Sequence, residues 1–155
     1  MLSLKTVLVP TDFSDASESA LRYGKAMAEA FGASLHVVHV MEDLLAHAWA
    51  AEVYVSSMPQ LRDEIEKESR QRLGALLTEA ERTAFRAETA LLAGNPFLEI
   101  IRYAKAHGVD LIVMGTHGRG PIAHMLLGSV AEKVVRKSPC PVLTVRDSQH
   151  EFVMP

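Results

Sequence analysis

"VDLIVMGTHGRGPIAHMLLGSVAEKVVRK" (Val109–Lys137) is the stretch on which the fold turns. It opens on an apolar run short enough for a buried strand, VDLIVMG. It closes on a helix-like run whose start, SVAE (Ser129 to Glu132), reads as a capping box. Four of the fifteen residues from Gly115 to Ser129 are glycine. Glycine there is costly, because it loses more conformational freedom on folding than any other residue. The stretch therefore reads as a place where side chains would obstruct something. With Ser129 as cap and Gly128 before it, amide N–H groups point outward from the helix start and the helix dipole favours an anion. Gly115 and Gly118 would let backbone approach that anion with no Cβ in the way, and phosphate is the natural occupant.

Working outward, strands and helices alternate. TVLVP (Thr6–Pro10) is β-branched and ended by proline, a buried strand. Ser14 and Asp15 offer N-caps to the next helix, Glu18 stands three after Asp15 as in a capping box, and Gly32 ends the helix. That helix carries Ala20, Leu21, Gly24, Met27, Ala28 and Phe31 on one face. SLHVVHV (Ser34–Val40) is a second strand. Residues 42–58 are too long for an ordinary connection and stay ambiguous. From Pro59 a helix presents Leu61, Ile65, Leu73, Leu76, Leu77 and Ala80, with a solvated face RDEIEKESRQR. Phe85, Ala87, Thr89 and Leu91 alternate as a third strand. Asn95 and Pro96 then open a helix facing Leu98, Ile101 and Ala104 inward, which Gly108 stops. PVLTV (Pro141–Val145) is the fifth strand. The expected fold is a single-domain α/β three-layer sandwich, Rossmann-like, with a parallel sheet covered on both faces. Ligands bind such sheets outside the carboxyl ends of strands, where strand order reverses.

Bulk properties narrow the function. The chain has 155 residues, enough for one core, with 48% apolar and 23% charged residues and a formal net charge of −3. Charge of either sign is unclustered, so no nucleic acid or membrane partner is expected. No run approaches a membrane span or a signal-peptide core, and the lone Cys140 allows no internal disulfide. A cytoplasmic protein is the expectation, with a domain over residues 1–147 and a tail over 148–155.

Two loops lie at carboxyl ends of strands: PTDFSD (Pro10–Asp15) and the glycine-rich stretch. The spacing Gly115-x2-Gly118-x9-Gly128-Ser129, with an aspartate just after the first strand, resembles the universal stress protein family, in particular its ATP-binding branch. The likeness covers nearly the whole chain, through VLVPTDFS, HVVHV, DLIVMGTHGRG and LLGSVAEKVVRKSPCPVLTV. It implies strand order 3-2-1-4-5 and a homodimer through the fifth strand, Val142–Val145. It also implies that Asp12 and the backbone at Val40 hold adenine, and that Pro10, Thr11, Met114 and Gly115 line the adenine–ribose pocket. Gly118, Gly128, Ser129 and Val130 would cradle the phosphates of ATP, or of ADP or AMP, with Mg²⁺ or Mn²⁺ helping to neutralise them.

Plainer readings stand beside these. Asp12 can serve as a helix cap near Ser14, and both roles can coexist. The run Gly115–Gly120 begins like a P-loop, but Pro121-Ile122 stand where that motif needs Lys and Ser or Thr, so fast hydrolysis is not expected. None of the seven histidines has zinc-like partner spacing, and no metal ligands or catalytic residues are assigned. For His117 a structural or solvated role is the first reading, and contact with a bound phosphate the second. Cys140, between two prolines, reads as a small buried residue, and Trp49 and Tyr54 as packing or interface residues. Three functions compete: a nucleotide-binding regulatory protein of the stress response, a slow ATPase or self-phosphorylating protein using the same site, and a structural dimer with an empty site.

Overall fold

A computed structural model describes residues 1–42, 58–116 and 127–146. The elements are β1 (Thr6–Pro10), α1 (Asp15–Phe31), β2 (Ser34–Met41), α2 (Met58–Ala75), α3 (Glu79–Ala84), β3 (Glu88–Ala93), α4 (Pro96–Ala106), β4 (Leu111–Gly115), α5 (Ser129–Lys137) and β5 (Val142–Val145). All five strands pair in parallel in the order β3-β2-β1-β4-β5, as expected. Strand order reverses between β1 and β4, which opens a crevice at their carboxyl ends.

The central strands β1, β2 and β4 are buried on both sides, so their side chains alternate between two apolar layers, while β3 and β5 at the edges are half-buried. Val7, Val9, Leu35, Val37 and Val113 pack with Ala20, Leu21, Leu73 and Leu77 of α1 and the α2 region. Leu8, Val38, Ile112 and Met114 pack with Ile100, Tyr103, Ala131 and Val134 of α4 and α5. Gly32 closes α1 in the left-handed conformation at φ 62°, the role assigned to it.

Several boundaries differ from the expected ones. Ser14, not Asp15, caps α1, its side chain accepting from the Ser17 amide, so Asp15 and Glu18 form no capping box. The helix expected from Pro59 to Ala80 breaks after Ala75, because Thr78 and Glu81 form a capping box that starts α3 afresh. Phe85 is the C-cap of α3 and not a strand residue: the amides of Phe85 and Ala87 donate to Glu81 and Arg82 carbonyls, and β3 begins only at Glu88. On α4 the inward residues are Ile100, Tyr103 and Ala104, while Leu98 is exposed. Phe31 and Leu61 are likewise exposed, at helix ends beyond the reach of the core. Asn95 takes the N-cap backbone position but its side chain makes no capping bond; Pro96 supplies the first turn.

Candidate functional site

The crevice is built first by the β1–α1 loop. Thr11 N–H donates to the Val38 carbonyl at 2.8 Å, and Thr11 Oγ1 accepts from the Phe13 amide at 3.0 Å. Asp12 Oδ1 accepts from the Ser14 amide at 3.0 Å and from the Ser14 hydroxyl. Asp12 therefore braces the turn into α1 but does not cap the helix, a task Ser14 performs. From β2, His39 Nδ1 lies 2.8 Å from the Thr11 carbonyl oxygen. Pro10 is buried and Val40 half-buried, and both share by strand alternation the face that carries α4 and α5. Met114 is buried on that same face.

The second wall is the start of α5. Gly128 N–H donates to the Thr116 carbonyl at 2.5 Å, and Thr116 N–H to the Val145 carbonyl at 2.9 Å. These two bonds hold the start of α5 against the ends of β4 and β5. They also make Gly128 the extended residue before the helix, at φ −66° and ψ 158°. Gly128 is thus the N-cap, with no side-chain capping bond, and Ser129 is the first helical residue. The expectation that Ser129 caps α5 in an SVAE capping box is overturned: Gly128 holds the N-cap position, so Glu132 of the first turn no longer stands three residues after the cap, and its amide bonds the Gly128 carbonyl. Ser129, Val130 and Ala131 carry the first-turn amides that a helix leaves without intrahelical partners.

Gly115 has a different reason from the one its position suggests. A Cβ built there would lie 2.9 Å from the backbone carbon of Ala16 and 3.0 Å from its oxygen. The glycine lets α1 pass close over the end of β4; its missing side chain points at the helix and not at a ligand. Gly115→Ala is expected to lower stability by about 1–3 kcal/mol through overpacking, read as a fall in Tm. His117 and Gly118 lie outside the described residues, as do Trp49, Tyr54 and residues 147–155.

A cleft of about 460 Å³ lies on the other side of the β1–α1 loop, between α1 and the end of α2, lined by Thr11, Phe13, Ser17, Arg22, Lys25 and Arg72 among others. It opens on the α1 face, across the sheet from Val40 and Met114. Its cations are matched by carboxylates: Lys25 pairs with Glu81 at 2.7 Å, Arg22 with Glu18 and Arg72 with Glu68. The Lys25 ammonium and then the Thr78 amide hold the Glu81 carboxyl below its usual range.

Among the described residues no cluster of three or more His, Cys, Asp or Glu is placed to hold a metal. The buried His36 belongs instead to a structural group near the amino end of β2. Its Nδ1 lies 3.0 Å from the Tyr103 hydroxyl, and His107 stacks on Tyr103 at 3.8 Å. Burial pushes the His36 imidazole below its usual range; the Glu88 carboxylate opposes this and His107 reinforces it. Burial also pushes the Tyr103 phenol up. A histidine held low in the folded state takes up its proton more readily when unfolded. Stability should therefore fall as pH drops from the model-peptide value of 6.5 toward the lower folded value, and be level above it. Unfolding midpoints at pH 7.5 and 5.5 should differ less in His36→Gln, which keeps a partner for Tyr103 and cannot titrate.

Comparison with known proteins supplies relatives for this arrangement. The family model described as "Universal stress protein family" matches residues 3–146. A universal stress protein of Thermus aquaticus is 38% identical, the match covering 92% of this chain and 98% of that protein. Universal stress protein MJ0577 of Methanocaldococcus jannaschii is 31% identical over 92% and 94% of the two chains. The solved structure of hypothetical protein MJ0577 superposes with a TM-score of 0.80 at 31% identity, covering 94% of this chain and 97% of that one. A universal stress protein solved in complex with cAMP superposes at a TM-score of 0.60 with 27% identity, covering 95% and 100%. Among the described residues no helix is long and apolar enough to cross a membrane.

Proposed function

The chain belongs to the universal stress protein family, and from that premise we propose that it binds an adenine nucleotide, ATP foremost, and acts in regulation as a homodimer. One observation carries the reading. At the point where strand order reverses, an acidic side chain beyond β1 and the open first-turn amides of α5 beyond β4 flank the same crevice. The relative solved with cAMP supports a phosphorylated adenosine as the ligand class.

In this reading Asp12 accepts a hydrogen bond from the adenine amino group while Oδ1 continues to brace the turn. Pro10, Thr11, Val40, Met114 and Gly115 border the base and ribose. The amides of Ser129, Val130 and Ala131 receive the phosphates, together with His117 and Gly118 of the glycine-rich stretch. A divalent cation such as Mg²⁺ or Mn²⁺ fits as a passenger on the phosphates, since no carboxylate cluster is built for it among the described residues. The site is read as a binder, with slow hydrolysis or self-phosphorylation as the competing enzymatic reading. The Asp12 carboxylate in the described part of the crevice is already engaged by Ser14.

The test has two parts. Mass analysis of the purified protein is expected to find a bound adenine nucleotide. Asp12→Ala is then expected to weaken ATP by about 1–3 kcal/mol, the cost of a polar partner left unpaired, and to leave ribose triphosphate nearly unchanged. Equal weakening of both ligands would remove Asp12 from the base pocket. A purified protein that carries no nucleotide and shows no heat with ATP would overturn the reading as a whole, while rapid product formation in a timed assay would favour the enzyme.

A further inference from the structure

Phe13 stands in the left-handed region at φ 63°, a conformation rarely adopted by a bulky side chain. Something around it must compensate, because the unstrained alternatives at negative φ would swing Asp12, its neighbour, away from its present position. The ring packs against the edge of the apolar layer under α1, and two polar groups clamp it there. The Arg72 guanidinium of α2 sits over it, 4.4 Å from the centroid, and the His39 ring of β2 lies against it at 4.4 Å. The backbone is pinned as well: the Phe13 amide donates to Thr11 Oγ1, and His39 bonds the Thr11 carbonyl. Phe13 itself lines the cleft on the α1 face, whereas its neighbour Asp12 turns back to Ser14 at the helix start.

We propose that Phe13 is a positioning residue. Its left-handed backbone, clamped by Arg72 and His39, sets where the Asp12 carboxylate stands, and through Arg72 helix α2 becomes part of the adenine site. The proposal deepens the nucleotide reading and rests on it for its binding arm alone. It has a regulatory corollary: whatever displaces Arg72 from the Phe13 ring releases the Asp12 turn and weakens the base contact without touching the phosphates.

Three variants test it: Phe13→Ala, Phe13→Gly and Arg72→Ala. Alanine keeps the penalty for positive φ and loses the clamp. Glycine loses the clamp too but adopts φ 63° freely. Phe13→Ala is therefore expected to weaken ATP about tenfold, the factor that a strain of this kind sustains, with ribose triphosphate unmoved. Phe13→Gly should recover most of the loss, and Arg72→Ala should show a smaller, equally base-selective loss. A ring that merely fills space predicts the reverse rank, glycine worse than alanine. That rank, or equal losses for both ligands, would overturn the proposal.

A second readout needs no nucleotide and separates failure here from failure of the nucleotide reading. The Ser14 amide, bonded to Asp12, should exchange faster by NMR in Phe13→Ala and Arg72→Ala and stay protected in Phe13→Gly, with core amides of β1 unchanged. Unaltered Ser14 exchange in Phe13→Ala would sink the idea whether or not ATP binds.

Discussion

Gly128→Val is expected to fold and to lose ATP at least a hundredfold, about 3 kcal/mol, while adenosine binding falls far less. The backbone argument comes first. Gly128 sits at φ −66° and ψ 158°, which any L residue adopts, so a side chain brings no torsional strain. The fold cost is confined to a poorer N-cap, at most about 1 kcal/mol. In the proposed reading the binding cost is larger, because a branched side chain at the start of α5 would crowd the amides of Ser129 and Val130 that are proposed to receive the phosphates. Ser129 behaves differently from what its sequence position suggests. As the first helical residue it is not the cap, so Ser129→Ala should leave the unfolding free energy within about 0.5 kcal/mol of the parent. Its effect should fall on triphosphate affinity alone. Calorimetric titration of both variants with ATP and adenosine checks this. Unchanged ATP affinity in folded Gly128→Val would mean that the glycine serves the tie to Thr116 and no ligand.

The sheet was legible because its signals are redundant. Near-continuous apolar strands alternating with helical patterns admit few arrangements other than a covered parallel sheet, and the family likeness supplied the strand order that periodicity leaves open. Errors gathered at element ends, where one bond decides the outcome. The Ser129 cap was misread because a Ser-x-x-Glu run looks the same whether or not its serine is extended. Here the long-range bond from Gly128 to Thr116 moves the cap back by one residue. The opposite happened at Thr78: its Thr-x-x-Glu signature was present in the sequence and does form the box, splitting what reads as one helix. At Gly115 the glycine was read as room for a ligand, but its packing on Ala16 is a tertiary contact that no local pattern reveals. Phe13 was missed for a related reason. Its left-handed backbone depends on Arg72 and His39, which come from two other elements.

The largest stability effect is expected on β5, from Val145→Asp, and it separates the domain from the proposed dimer. From the sequence alone, charge placed at Val142 and Val145 is expected to break the dimer before it unfolds the domain. The geometry divides the strand otherwise. Val145 is 6% exposed and packs into the layer under α1. A carboxylate there has no partner among the apolar groups of that layer, so the variant should lose about 4 kcal/mol or more. That is a large part of the stability of an ordinary domain, and the expected result is a largely unfolded chain by circular dichroism. The edge itself is addressed through the backbone. Ile112 donates to the Pro141 carbonyl and Thr116 to that of Val145, so in the parallel ladder residues 141, 143 and 145 turn their polar groups toward β4. Val142 and Thr144 turn theirs outward, to the edge where a second copy would pair. Thr144→Pro removes one outward N–H and inserts a ring at that edge, a place where proline is tolerated in strands. It should leave the domain folded and the protein monomeric at micromolar concentration by light scattering. A Thr144→Pro dimer as tight as the parent would show that the two copies do not meet along β5.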